Sequence, residues 1–454
     1  MAPDRKRALA VLAACLAVGA SRFLLRARVP DDYDSIGFVR ALDQFDLATL
    51  QPHPPGYPVF VALAKLIHLL LPALDAACAL SSLAAMATAF ALYQLSSALF
   101  DRRAGAFTLA LFAVASMPML LGGAAWSEST AGAFAAASFA LHARRRPAAS
   151  ALAIALMLGV RASWWPLALS WLWLVLRDRA ARRRPAVWLA LVGGVLIWLV
   201  PFALVVGPAK LWTLSRTHVA GHFGEWGGTV VTRPNLLVRA GAFLRDWLYD
   251  GLAPVWPLLL AALALIGFAA RGRTNGKQLA RVGAVVVAPY ALWALFAQNV
   301  IEQPRHLFPL VLATLVVAGA LLSARPLAGV AVSVLLAVAS LPLAIERVRV
   351  PPAAAQLASY VESHYPPSKV MVFGARSLRF LPPSIPSSPR TWLSEVDVDL
   401  ERVDVFPEYV LVTSEVEPDR VRARRLHPVA TFCRDRRLDR QTPCLTLSRY
   451  VLGR

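Results

Sequence analysis

Five carboxylates and a histidine crowd residues 31–58, DDYDSIGFVRALDQFDLATLQPHPPGYP, where Asp31, Asp32 and Asp34 come first and His53 sits in a Pro-Pro-Gly-Tyr turn. The stretch is wedged between two apolar segments. Ionisable groups beside a bilayer are costly to place and usually serve a function. A carboxylate there can take a proton from a hydroxyl. Farther along, Arg161 precedes Trp164-Trp165-Pro166 and Arg305 stands in Gln303-Pro304-Arg305-His306. Either guanidinium could grip a phosphate through two parallel N–H donors. Glu128, in Trp126-Ser127-Glu128-Ser129, opens a further apolar run.

The register of the first stretch is Asp34-Ser35, two residues, Phe38, then Phe45-Asp46 and Gln51-Pro52-His53-Pro54-Pro55-Gly56-Tyr57-Pro58. It resembles the first external loop of GT-C superfamily glycosyltransferases, in the branch of protein mannosyltransferases and aminoarabinose transferases. Glu128, Arg161 and Arg305 are weaker echoes of the same pattern. Related enzymes often carry Asp where Glu128 stands and Tyr where His306 stands. The layout matches over roughly residues 1–345, and nothing in the C-terminal part resembles the family.

What the resemblance implies is a membrane enzyme that moves a sugar from a polyprenyl-phosphate carrier to an acceptor hydroxyl at the outer face, with inversion. Asp34 is then the catalytic base, with Glu128 a second catalytic residue. Arg161 and Arg305 hold the departing phosphate, while Asp31, Asp32, His53, Tyr57 and His306 contact substrate. No cofactor is demanded, although Asp31 and Asp32 could also bind a divalent metal.

Each of these residues has a plainer reading. Asp34 could cap a helix running over 35–45, since Asp is a preferred N-cap. Asp31 and Asp32 could be a solvated loop. His53 could pack a rigid turn, and Gly56 with its flanking prolines is architectural. Glu128 could sit harmlessly among headgroups, and Arg161 could anchor an interface beside tryptophans. His218, His222 and Glu225 have partial zinc-site spacing. Glycines at 221, 224, 227 and 228 argue against a helix there, so a loop over the active site, with Trp226 as a substrate contact, is the expectation.

Composition fixes the class. At 57% hydrophobic over 454 residues, with mean hydropathy +0.55, the chain has too little polar surface to close over a soluble core. Its net charge of +20 would suggest nucleic acid if read alone. However, the basic clusters at 5–7, 102–103, 144–146, 177–184 and 271–281 fall in alternate gaps between apolar runs. That is the positive-inside pattern of cytoplasmic loops. No basic groove interleaved with aromatics supports nucleic-acid binding.

With the N-terminus inside, about eleven spans follow from the bilayer thickness. They lie near 8–26, 76–99, 104–122, 128–142, 148–160, 163–177, 186–207, 247–270, 279–297, 306–322 and 327–345. The apolar stretch 57–72 would invert every later loop if it spanned, so it is expected to lie in the outer interface. Residues 27–75 and 208–246 are then external loops. Residues 8–21 also imitate a secretory signal, and cleavage would remove the first span.

From residue 346 the composition turns polar. A helix over 353–364 and strands at 370–373, 409–412 and 445–447 predict a small extracytoplasmic α/β domain, 346–454. Cys433 and Cys444 flank a polar segment between two strand-like runs and are expected to pair in an oxidising compartment, the alternative being two free thiols. The expected class is therefore an α-helical polytopic membrane protein of a bacterial-type inner membrane, its C-terminal domain periplasmic. Its partners would be the bilayer, a polyprenyl-phosphate-linked sugar and an acceptor the sequence does not name. A transporter or lipid flippase is the rival, disfavoured because no repeated halves are visible.

Overall fold

The computed structural model describes residues 3–253, 255, 264, 267, 276–387, 408–416 and 426–450. The chain divides into two compact units: Met1–Ala27 with Gly37–Ile345, and Arg28–Ile36 with Glu346–Arg454. The second unit thus begins its C-terminal part at Glu346 and also takes nine acidic-loop residues, Arg28–Ile36.

The first unit is helical. Its helices are α1 (Pro3–Leu24), α2 (Tyr33–Asp43, whose first residues belong to the second unit), α3 (Pro58–His68), α4 (Ala73–Leu99), α5 (Arg102–Val114), α6 (Ser116–Leu121), α7 (Glu128–Ala143) and α8 (Pro147–Val160). They continue with α9 (Trp165–Arg177), α10 (Arg179–Arg182), α11 (Pro185–Val206), α12 (Pro208–Gly221) and α13 (Leu236–Leu244). After these come α14 (Gly276–Ala297, with a π-helical stretch at Gly283–Val287), α15 (Phe308–Leu322) and α16 (Pro326–Arg349). Among the described residues, 6 helices are long and apolar enough to cross a membrane. Of the eleven expected spans, those at 128–142, 148–160 and 163–177 form helices below that length, and 104–122 is split at Ala115 into α5 and α6. The span expected over 247–270 lies largely outside the described residues.

Small residues let these helices approach. A Cβ on Gly319 of α15 would stand 2.1 Å from Thr108 Oγ1 of α5. Such contacts drive packing where lipid removes the hydrophobic contrast between helices. Polar side chains add to it: Ser138 Oγ donates to Ser150 O at 2.8 Å, Ser150 Oγ to Ser138 O at 2.7 Å, and Trp171 Nε1 to Ser150 Oγ at 2.7 Å. Cys15 and Cys78 are buried free thiols in this core.

The region expected as an open loop, 208–246, instead carries α12 and α13. Pro208 at the first turn starts α12, and Asn235 caps α13 through Val238 N at 3.1 Å. Helix-start chemistry outweighed the glycines, and α12 runs on through Gly221 and Gly224 as a π-helical stretch, His222–Trp226. Buried Arg239 of α13 donates to Leu295 O at 3.0 Å and to Gln298 O at 3.0 Å, so its charge faces the carbonyl-rich end of α14.

The second unit is α/β. Helix α17 (Ala353–His364) packs Leu357 and Val361 against strand residues Val370, Val372, Leu411 and Leu447. Strands β1 (Val370–Phe373), β2 (Tyr409–Thr413), β3 (Leu426–Cys433) and β4 (Cys444–Tyr450) form one sheet in the order β1-β2-β4-β3. β1 pairs with β2 in parallel, and the other pairs are antiparallel. β3 showed in the sequence only as a strand-like run ahead of Cys433: Pro428 sits at its register shift, a position an edge strand tolerates. Cys433 and Cys444, directly opposite in the β3–β4 register, are joined by a disulfide.

Candidate active site

The first unit gathers three sequence-distant charges. Glu128 opens α7, where unpaired amides and the helix dipole favour a carboxylate. Arg161 stands where α8 ends, its backbone extended at φ −152° and ψ 92° before a 3-10 turn leads into α9. Arg305 lies in the 3-10 turn Pro304–Leu307 that leads into α15. Arg161 Nη1 and Arg305 Nε each stand 3.1 Å from Glu128 Oε1. Arg161 Nη1 also donates to Ser127 Oγ at 3.0 Å.

All three are buried: Glu128 is 1% exposed, Arg161 and Arg305 6% each. Two guanidinium groups against one carboxylate leave a net positive centre. Removing one member of such a buried pair leaves uncompensated charge, which costs several kcal/mol, on the order of 3–5.

Helix α14 fixes both arginine-bearing turns. Tyr290 Oη donates to His306 O at 2.9 Å, and Trp293 Nε1 donates to Ser163 O at 2.9 Å. Aromatic faces lie beside both cations: the Arg305 guanidinium is 4.8 Å from the Trp126 ring and that of Arg161 is 5.9 Å from the Tyr57 ring. Cations are attracted to such faces when desolvated.

Tyr57 belongs to the Pro-Pro-Gly-Tyr turn. Gly56 at φ +98° supplies the left-handed step, and a side chain there would collide with Phe202 at 2.5 Å. The turn delivers Tyr57 Oη to a short hydrogen bond with His53 Nε2. The His53 ring is 5.8 Å from His218, which is 4.8 Å from Trp226. His222 Nε2 donates to Ala297 O at 3.0 Å, and burial holds its pKa below the ordinary histidine value. Among the described residues, no three His, Cys, Asp or Glu side chains are grouped to hold a metal ion.

Asp31, Asp32 and Asp34 belong to the second unit. Asp32, rather than Asp34, caps α2: its Oδ1 accepts from Ser35 N at 2.8 Å and its N–H donates to Ser35 Oγ at 2.8 Å. Asp34 lies within the first turn, half-buried. Asp31 Oδ1 accepts from Arg434 Nη1 at 3.2 Å, both side chains almost fully buried. Arg434 Nη2 also donates to Arg347 O at 3.1 Å. Arg379 stacks 4.1 Å from the Tyr33 ring and donates to Tyr33 O at 3.3 Å. The acidic segment is thus held by two arginines that the sequence reading missed. Arg434 stands among several arginines, and its only distinguishing mark is adjacency to Cys433.

No protein-family model matches the sequence, and no curated protein matches it. Solved structures do match in fold. ArnT from Cupriavidus metallidurans bound to undecaprenyl phosphate superposes with TM-score 0.55 at 16% identity, covering 99% of this chain and 98% of that one. The apo form of the same enzyme gives TM-score 0.54 at 15% identity, covering 99% of both chains. An oligosaccharyltransferase from Archaeoglobus fulgidus follows at TM-score 0.45 and 13% identity, covering 82% of this chain and 63% of that one. With its apolar helices and small C-terminal sheet, the chain is an α-helical polytopic membrane protein with the fold of the GT-C membrane glycosyltransferases.

Proposed function

We propose that this protein transfers a sugar from a polyprenyl-phosphate donor to an acceptor hydroxyl at the outer face of a bacterial-type inner membrane. The observation that carries the reading is the buried centre in which Arg161 and Arg305 converge on Glu128. Net positive charge at a span's end suits a phosphate that cannot leave the bilayer. The shared fold with a structure that holds undecaprenyl phosphate supports the same donor class.

In this scheme the Asp34 carboxylate takes the acceptor hydroxyl proton. The freed oxygen electron pair attacks the anomeric carbon, and the carbon–oxygen bond to the phosphate breaks with its electron pair on the leaving group. Arg161 and Arg305 stabilise that developing charge, the kind of preorganised electrostatics that supplies much of enzymatic rate enhancement. Glu128 is engaged by both guanidinium groups, so we assign it the positioning of the arginines in place of the catalytic role expected from sequence. Tyr57 and His53 contact the donor, and Asp31 and Asp32 shape the segment that carries Asp34. Basic residues biased to alternate loops support a cytoplasmic N-terminus and an external C-terminal domain.

Attack of this kind inverts the anomeric centre. Product stereochemistry from a defined donor tests it: an inverted product supports the single displacement, and a retained one contradicts it. Movement of the intact lipid across vesicles without sugar transfer would favour the flippase reading instead.

A further inference from the structure

The far end of the same helix bundle holds a cavity that the proposed transfer does not use. Its volume is about 580 Å³, and its walls come from α4, α7, α9, α14 and α15, with Phe139 and Leu312 among the apolar lining. Trp164 lines it as well. Its rim is charged: His142, Arg145, Arg177, Arg179 and Arg281 gather there with Asp178. Asp178 is already engaged, accepting from Ala180 N at 3.0 Å and pairing with Arg145 Nη1 at 3.0 Å. Four guanidinium groups against one carboxylate leave the rim strongly positive.

The rim is not the Glu128 centre. Glu128 starts α7 and His142 lies in its last turn, about 21 Å away at the helical rise. The basic-residue bias assigns this end to the cytoplasmic leaflet, whose anionic headgroups attract basic residues set between spans. An apolar void opening on a cationic rim matches a molecule with an alkyl chain and an anionic head.

We propose that this cavity is a binding site for an anionic phospholipid of the inner leaflet, one acyl chain inside and its phosphate at Arg145, Arg177 and Arg281. The site is separate from the donor site, and the proposal stands whether or not the protein is a glycosyltransferase.

Native mass spectrometry of the full chain tests it, with phosphatidylglycerol, phosphatidylcholine of the same acyl chains, and a polyprenyl phosphate as probes. Phosphatidylglycerol should be retained over phosphatidylcholine. The Arg145→Ala/Arg281→Ala variant should weaken phosphatidylglycerol binding about thirtyfold, as expected for two basic contacts. Ala313→Phe, which fills the cavity, should abolish it. Should Ala313→Phe fail to fold, the arginine variant decides alone. Equal binding of the two phospholipids, or wild-type binding by the arginine variant, would overturn the proposal. Displacement of phosphatidylglycerol by the polyprenyl phosphate would overturn it too, because the cavity would then belong to the donor lipid.

Discussion

Arg161 and Arg305, far apart in sequence, meet on a single atom: each places a guanidinium nitrogen 3.1 Å from Glu128 Oε1. The carboxylate keeps two like charges together in a buried place. Replacing it with Ala should lower stability by about 3 kcal/mol, since two cations are left without their anion. Thermal unfolding of Glu128→Ala in lipid nanodiscs checks this. An unchanged melting temperature would mean that the carboxylate does not hold the arginines.

Charge alone does not replace a guanidinium fork. Lysine offers a compact point charge and no fixed pair of donors. Arg161→Lys and Arg305→Lys should each retain the fold yet reduce kcat/KM for the polyprenyl-phosphate donor about 100-fold, a loss comparable to that of one oxyanion donor. Circular dichroism with steady-state kinetics separates the two effects. Full activity in both lysine variants would assign these arginines to structure rather than to the leaving phosphate.

The buried pair Asp31–Arg434 should anchor the segment that carries Asp34. Breaking it from one side with Arg434→Ala leaves a buried carboxylate alone, at a cost of about 3–5 kcal/mol. Backbone amides of residues 31–36 should then exchange hydrogen faster, and kcat should fall more than KM rises. Asp31→Asn combined with Arg434→Met should recover part of both. Unaltered exchange in the single variant would separate Arg434 from the acidic segment.

His222 gives a pH signature. Burial depresses its pKa below 6.5 and keeps the ring neutral as it donates to Ala297 O. The unfolded chain therefore binds the proton more readily. Stability from this group is complete above pH 6.5 and is lost as pH falls from there through the lower folded pKa. Melting temperature measured from pH 7.5 to 5 should drop less in His222→Gln than in wild type. Parallel curves would exclude the histidine as the titrating group.

Much of the architecture was legible because bilayer physics writes it into hydropathy. Apolar runs between alternate basic gaps marked the helices, and the composition change after Ile345 marked the second unit. The strands at 370–373 and 409–412 showed their β-branched character. β3 showed only as an unbounded strand-like run ahead of Cys433, since Pro428 and His427 obscure it and its pairing with β4 is a tertiary contact. Helix α12 and the π-helical stretch that continues it were hidden by Gly221 and Gly224, which lie within them. At the site, residue types could nominate Glu128, Arg161 and Arg305 one by one, while their shared contact depends on how α7, α8 and the turn before α15 pack. Arg434 and Arg239 were invisible for the same reason: an arginine's burial is decided by partners remote in sequence.

The most direct test is sugar transfer by the purified protein in lipid, using radiolabelled polyprenyl-phosphate sugars and broad acceptor extracts, with Asp34→Asn measured alongside. The account predicts label transfer by the wild type and a loss of at least about 100-fold in the folded Asp34→Asn protein, in line with removal of a general base. Transfer that persists undiminished in Asp34→Asn, or no transfer from any donor by folded wild-type protein, would contradict it.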